Sequence, residues 1–200
     1  MFKPTFFDYT DVCELEVSIR DIEPRIWRRV RVPAELSLGR LHDVLQIAFG
    51  WTNSHLHDFV ARGIRFGMTD VEDEIFSVDE NAAPLGAVAD PGSSLLYRYD
   101  FGDDWEHDIV LNRVADGTRD VFVCTGGARA CPAEDCGGVS GYASMVAILA
   151  DPRHPEYREM RTWAGHKYDP EKFDREAVNK KLAKLTKPWL RRERASVRAI

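Results

Sequence analysis

The sequence predicts an α+β domain whose sheet is mostly antiparallel. Three observations carry this. Strict polar–apolar alternation marks two successive strands, residues 13–20 and 26–32. An apolar repeat of three and four residues follows at once, from Leu38 to Phe49. A second alternating pair fills residues 95–111, and the last third of the chain reads mainly as helix. Period two belongs to a half-buried strand and period 3.6 to an amphipathic helix, because side chains return to one face at those spacings.

In the first strand Cys13, Leu15, Val17 and Ile19 share one side, with Glu14, Glu16, Ser18 and Arg20 on the other. Glu23-Pro24 turns the chain into the second strand, which Pro33 ends, so the pair reads as a β-hairpin. Ser37 can cap the helix that follows with its hydroxyl, and Gly50 stands where a left-handed C-terminal residue belongs. Hairpin then helix is a β-grasp-like start. Residues 54–60 read as a third strand, and residues 67–93 as a long loop with a short helix near 83–88. In 95–111, Gly102-Asp103-Asp104 makes a three-residue turn. Pairing Phe101 with Trp105 then sets Tyr99 against His107 and Arg98 against Asp108. Residues 120–124 form a short strand and 126–138 a Gly/Cys/Pro loop. Helices follow at 139–149, near Tyr157, Met160 and Trp163, and from Asp169-Pro170 or Asp174 through Leu185. Nothing repeats and no linker divides the chain, so residues 1–185 form a single domain and 186–200 a basic C-terminal tail.

Composition narrows the function classes. Two hundred residues with five Trp, six Tyr and ten Phe suffice for one well-buried core. No run approaches the roughly 18 apolar residues of a membrane helix, and Met1–Thr5 lacks a signal-peptide apolar region, so no membrane partner and a cytoplasmic location are expected. The four cysteines form no CxxC pair; reduced thiols filling core space are the simplest reading. Residues 180–200 hold eight Lys/Arg and one acid, a net +7, so the preceding 179 residues carry −13 of the chain's net −6. An acidic body argues against whole-surface binding of nucleic acid and leaves the tail as a frayed end or a nucleic-acid arm.

The candidate chemistry lies in four places. His55 and His57, two apart on a strand, would face one way with Cα atoms roughly 7 Å apart, a spacing that permits joint metal ligation. His107, Cys131 and Cys136, with Asp103, Asp104, Glu106, Glu134 and Asp135 nearby in sequence, would complete a nitrogen, sulfur and carboxylate cluster suited to zinc. The alternative is a histidine satisfied in a polar core and cysteines packed as small apolar groups. Trp27, Arg29 and Arg31 share a strand face that could stack on a base and hold phosphates, or simply pair with acids. Arg28 falls on the apolar side and, once buried, needs a carboxylate from Asp103, Asp104 or Glu106. The sequence has no GxSxG, P-loop or GxGxxG. A Cys131 or Cys136 nucleophile with His107 as base would depend on the fold to unite them.

Four segments taken together resemble the plasmid pRiA4b ORF-3-like family, sometimes labelled as a resolvase-like passenger of insertion elements. They are Ile26-Trp27-Arg28-Arg29, Asn53-Ser54-His55-Leu56-His57-Asp58-Phe59, Tyr99–His107, and Cys131-Pro132-Ala133-Glu134-Asp135-Cys136-Gly137-Gly138 with Gly141-Tyr142. The resemblance runs from about Val12 to Leu185. It implies a bacterial or archaeal protein associated with plasmids or insertion elements, and it carries no reaction. Ala133 stands where the family often has a second proline. The resolvase label is not supported by these residues: neither a helix-turn-helix nor a basic body is present.

Three functions follow as expectations. The first is a non-enzymatic binding or accessory protein. Its surface would comprise Trp27, Arg28, Arg29, Asp103, Asp104, Trp105, Glu106, Glu134 and Asp135, and its partner would be protein or nucleic acid. The second is a zinc-dependent hydrolase with His55, His57, His107, Cys131 and Cys136 as ligands and Asp103 or Glu106 as base. The third is nucleic-acid binding through the Arg/Trp strand and the basic tail.

Overall fold

The computed structural model describes residues 11–68, 78–113 and 120–197. Eight strands form one sheet: β1 (Val12–Ile19), β2 (Trp27–Pro33), β3 (His57–Ala61), β4 (Ile64–Gly67), β5 (Val78–Asp79), β6 (Ser94–Tyr99), β7 (Trp105–Arg113) and β8 (Val123–Ala128). Their order is β5-β4-β3-β6-β7-β1-β2-β8, and every pairing is antiparallel except β4 with β5. The helices are α1 (Leu38–Phe49), α2 (Leu85–Val88), α3 (Gly138–Ala150), α4 (Tyr157–Ala164) and α5 (Arg175–Val197). The α+β class and the hairpin-then-helix start are as the sequence predicts. Parts of the 67–93 loop and the end of the basic tail lie outside the described residues.

Alternation sorts the sheet into two faces. Leu15, Val17, Val30, Tyr97, Tyr99, Trp105, Ile109 and Leu111 are buried with Leu38, Leu41 and Leu45 of α1. Ser37 accepts the Arg40 N–H at the start of α1, and Gly50, with φ of 94°, ends it in the left-handed region. The opposite face is a lattice of ion pairs. The β1–β2 register places Glu14 across from Arg31 and Glu16 across from Arg29, and both pairs close, at 3.0 and 2.8 Å. Arg20 reaches Glu106 at 2.7 Å and Asp108 at 2.6 Å.

Several local expectations are corrected. The β6–β7 register is two residues shorter: Tyr99 pairs with Trp105 and Tyr97 with His107, so Asp100–Asp104 form a five-residue connection. A shift of two preserves the faces, which is why the alternation gave the right sides with the wrong partners. Phe101 leaves the strand and lies exposed over Arg65 and Arg98. Arg98 sits across from Glu106 and bonds Asp58, not Asp108. The third strand begins at His57, so His55 lies before it. The last strand spans Val123–Ala128 instead of 120–124, which takes residues 126–128 out of the predicted loop. Trp163 is exposed. Asp174 caps α5 by accepting the Ala177 N–H, and the helix continues through residue 186 to Val197 with Pro188 inside it.

Arg28 is buried without a carboxylate. Its guanidinium donates to the carbonyls of Ala48, Trp27, Ala128 and Arg129, and stacks on Phe173 at 3.9 Å. The Ala48 carbonyl is in the last turn of α1, where acceptors lack helical partners and carry the negative end of the dipole. Carbonyl dipoles thus replace the ionic partner the sequence calls for. Burial still lowers the Arg28 pKa from its ordinary value.

Candidate metal centre

Three connections meet at the end of the β3–β6–β7 region: residues 51–56 between α1 and β3, 100–104 between β6 and β7, and 129–137 before α3. The backbone bond from the Asp100 N–H to the Leu56 carbonyl, 2.9 Å, joins the first two. The Trp51 indole donates to the Pro132 carbonyl, 3.2 Å, and joins the first to the third. Asp103 accepts the Gly137 N–H, 3.1 Å, and closes the set. A Cβ on Gly138 would lie 2.6 Å from the Asp103 carbonyl oxygen, so only glycine permits this approach. Among the described residues, five of the eight non-glycine positions with positive φ fall here: Asn53, Asp100, Asp104, Arg129 and Asp135. Asn and Asp tolerate the left-handed region best, and such conformations gather where surrounding bonds over-determine the chain.

His55 stands at the junction. Its Nε2 is 3.3 Å from an Asp135 oxygen, 3.6 Å from Asp100 Oδ2 and 3.8 Å from Glu134 Oε2. This nitrogen is inaccessible to solvent and makes no hydrogen bond. Ligand atoms of His55, Asp100 and Asp135 all lie within 4.8 Å of one another. Donors about 2.1 Å from a common ion lie roughly 3.0–3.4 Å apart in tetrahedral or octahedral shells, close to the two distances from His55 to Asp135 and Asp100.

The carboxylates are held from behind. Asp100 Oδ1 accepts the N–H groups of Gly102 and Asp103, leaving Oδ2 toward His55. Glu134 Oε1 accepts the Thr52 N–H at 2.8 Å and its hydroxyl at 3.0 Å. The Tyr99 hydroxyl accepts the Ser54 N–H and donates to Glu134. Burial raises the Tyr99 pKa, which keeps that hydroxyl a donor. Donors that fix one oxygen and free the other are what orients carboxylate ligands in metal sites.

A ring of bonds pins the 51–56 segment to α1. The Asn53 N–H donates to Gln46 Oε1, so Gln46 Nε2 faces the Tyr97 hydroxyl and donates to it. That hydroxyl then donates to His42 Nδ1, and His42 Nε2–H donates to Asn53 Oδ1. The ring fixes His42 as the neutral Nε2–H tautomer, and burial lowers its pKa to about 4.

The other predicted ligands are not gathered with His55. His57 bonds Glu80 at 3.0 Å and stacks on His42 at 3.4 Å between ring centroids. His107 is sealed among Phe49, Trp51 and Tyr97. Its Nδ1–H donates to the Trp105 carbonyl, and burial lowers its pKa to about 4. Burial raises the Cys131 thiol well above its ordinary value and the Cys136 thiol to about 12, and the cysteines form no disulfide. Among the described residues no other trio of His, Cys, Asp or Glu brings its ligand atoms together so closely.

The proposed binding surface is divided likewise. Glu134, Asp135 and Asp103 belong to the junction, and Asp104 is exposed beside it. Trp105 and Arg28 are buried, Glu106 pairs with Arg20, and Arg29 pairs with Glu16 while lying 5.4 Å from the Trp27 ring. The Arg/Trp strand therefore presents a compensated face. Asp100, Tyr99 and Thr52 are site residues the sequence reading missed. For Asp100 the signal was present: an Asp two before a glycine is an Asx-turn former.

Next to the junction is a cavity of about 520 Å³ lined by His42, Asn53, His55, His57, Glu80 and Asn81 among others. Sheet, covering helices and this His/carboxylate junction together define an α+β domain with its polar chemistry in the loops at one end. By its sequence the chain belongs to the plasmid pRiA4b ORF-3-like protein family, matched over residues 11–177. It is 40% identical over 188 residues to the uncharacterized protein y4hQ of Sinorhizobium fredii, covering 92% of this chain and 96% of that one. It also resembles the crystal structure of MM3350, a protein of unknown function from Methanosarcina mazei Go1. There the TM-score is 0.73 and the identity 34%, over 84% of this chain and 98% of that one. Among the described residues no helix is long and apolar enough to cross a membrane.

Proposed function

We propose that this protein is a metal-dependent hydrolase that binds one divalent ion through His55, Asp100 and Asp135. The observation that carries the reading is the His55 Nε2, shielded from water, without a hydrogen bond, and facing carboxylate oxygens whose partner oxygens are tied back. One imidazole with carboxylates suits zinc or manganese. Three protein ligands leave a coordination position for water, the pattern of catalytic rather than closed structural sites. When bound, such an ion lowers the pKa of its water. Glu134 Oε2, 3.8 Å from His55 Nε2, is placed to take a proton from that position, and the adjoining cavity offers room for a substrate.

The test is elemental analysis of untagged protein, followed by calorimetric titration of zinc and manganese. About one equivalent is expected, with His55→Ala and Asp100→Asn losing it. Less than about a tenth of an equivalent, with no heat on titration, removes the reading, since a site of this kind holds zinc firmly. Rates on chromogenic phosphodiesters and carboxylic esters should fall in Glu134→Gln with the metal retained.

A second reading has its own support. The three ligands come from three separate connections, so an ion would tie those loops together in a non-enzymatic binding or accessory protein. Metal that raises the melting temperature, with hydrolysis at background in both wild type and Glu134→Gln, would favour it.

A further inference from the structure

The cavity beside the His55 junction has a construction of its own. It lies between the first turn of α1, the start of β3 and the short turn Glu80–Ala82. These pieces are fastened together. The Leu38 N–H donates to the Ala83 carbonyl at 3.0 Å, and a Cβ on Gly39 would lie 2.5 Å from Asn81 Oδ1 and 3.2 Å from Glu80 Oε1. The His42 and His57 rings stack in parallel, 3.4 Å between centroids and 4° between planes, and give the cavity a flat wall. Both ring nitrogens of His42 are taken, by Tyr97 and Asn53. Leu56 and Met68 are exposed and supply an apolar part of the lining. The Glu80 side chain is only 5% exposed, and its carboxylate has one donor among the described residues: both oxygens share the His57 Nε2–H, at 3.2 and 3.0 Å. A carboxylate accepts about four hydrogen bonds, so most of this capacity is left to a ligand in the cavity that Glu80 lines.

We propose that this cavity binds a small organic amine with an apolar tail, its ammonium group donating to Glu80 and its tail lying against Leu56 and Met68. Charge selects the class. Arg40 is the one Lys or Arg of the lining, and it is paired with Asp43 at 3.1 Å. Glu80 and Asp43 in the lining, with Asp100, Glu134 and Asp135 next to it, set a negative field that repels a phosphate or carboxylate ligand. An inorganic cation needs more ligands than Glu80 and His57 supply, and among the described residues no trio of metal-ligating groups forms around them. A neutral apolar ligand would shut water away from Glu80 and leave its free lone pairs without donors, which is costly. An ammonium group brings up to three N–H donors and the opposite charge, and charge-assisted bonds are the strong ones. A volume of about 520 Å³ fits a small molecule rather than a folded partner. The amine is then the recognised group of the substrate, an assignment that rests on the hydrolase reading above. Its binding does not, since neither Glu80 nor His57 is a metal ligand in that reading.

The experiment is calorimetric titration of the metal-free full chain at pH 7 with three compounds of one shape: 2-phenylethylamine, 2-phenylethanol and phenylacetate. The amine should bind about tenfold or more tightly than the alcohol, the contribution of one hydrogen bond to a charged group, and phenylacetate should bind weakest. Glu80→Gln should bring amine and alcohol to equal affinity. That change also alters the bond to His57, so Asn81→Lys serves as a second variant. Asn81 is exposed and lines the cavity, so the melting temperature should match wild type while the new cation abolishes the preference for the amine. No heat from the amine at millimolar concentration, equal binding of amine and alcohol by wild type, or tighter binding of phenylacetate overturns the proposal. So does a preference kept in both variants. In metal-loaded protein the amine should inhibit hydrolysis of the chromogenic esters competitively. Amine bound without inhibition removes the substrate assignment and leaves the site. Absence of bound metal removes the hydrolase reading, and the metal-free titrations still decide the site.

Discussion

Two histidines that look alike in the sequence, His55 and His107, occupy opposite environments. His107 is wholly buried among aromatic rings, with its Nδ1–H on a backbone carbonyl and its Nε2 without a partner. His55 is partly exposed and directs its Nε2 at carboxylates from two other segments. In the first case the ring's polar partners are backbone carbonyls, and burial outweighs them. In the second they are carboxylates. Burial alone therefore does not mark a functional histidine; the chemistry facing the ring does.

The largest way to break this comparison is pH. His42 and His107 are held near pKa 4, against about 6.5 in an unfolded chain. Above pH 6.5 both are neutral in either state and impose no penalty. As pH falls from 6.5 to 4, the unfolded chain binds protons that the native state refuses. Stability should drop by about 3 kcal/mol for each histidine, and below pH 4 the loss from these two groups stops. Urea midpoints across this window measure the slope. His107→Leu should remove its share, and an unchanged slope would show that the ring is not the group being protonated.

Next in size is truncation. His107→Ala should cost about 3 kcal/mol, as for other buried aromatic rings, and leave metal binding intact. His55→Ala should do the reverse: less than about 1 kcal/mol in metal-free protein, with metal binding lost. Equal destabilisation by both would erase the distinction.

The same pair shows what the sequence discloses. Faces of the strands were legible because alternation survives a two-residue slip, and the ends of α1 were legible because Ser37 and Gly50 act locally. His55 was named, with Asp135 and Glu134 as candidate carboxylates, but Asp100 was not. Period two joined His55 to His57 as if one strand carried both, whereas the strand starts at His57 and the preceding loop takes His55 elsewhere. Asp100 was read as strand because Tyr97 and Tyr99 continue the pattern to its edge. Its side-chain bonds to Gly102 and Asp103 instead start the turn there. Arg28 was correctly placed on the buried side, yet its partners are carbonyls, which every residue possesses and no residue type reveals. Glu134 and Asp135 could be proposed from their motif. Their meeting with His55 depends on Trp51 and Asp103 bonding backbone groups far away in sequence.

A smaller effect tests whether the carboxylates are oriented from behind. Tyr99→Phe removes the donor to Glu134 and the acceptor of the Ser54 N–H, while the ring keeps its stack on Trp51 at 4.8 Å. Because the lost Ser54 bond loosens the segment that carries His55, metal affinity by calorimetry should fall about tenfold, the lower end of what supporting hydrogen bonds contribute. Unaltered affinity would mean that Glu134 and the 51–56 segment hold their places without it.

The smallest effect belongs to the sheet's outer face, and its smallness is the point. Arg29 lies 2.8 Å from Glu16 and 3.9 Å from Glu14, a geometry that on distance alone resembles the His55 junction. Here both partners keep water: the side chains of Arg29 and Glu16 are 41% and 30% exposed. Solvent screens the attraction, and ordering two long side chains costs entropy that offsets most of what remains. Arg29→Ala should therefore change stability by less than about 1 kcal/mol, and by less still as salt is raised. A double-mutant cycle with Glu16→Ala isolates the pair. A coupling above about 2 kcal/mol would place these charges in a far drier environment than their exposure indicates. The contrast between a compensated surface and a preorganised junction would then have to be drawn from something other than water.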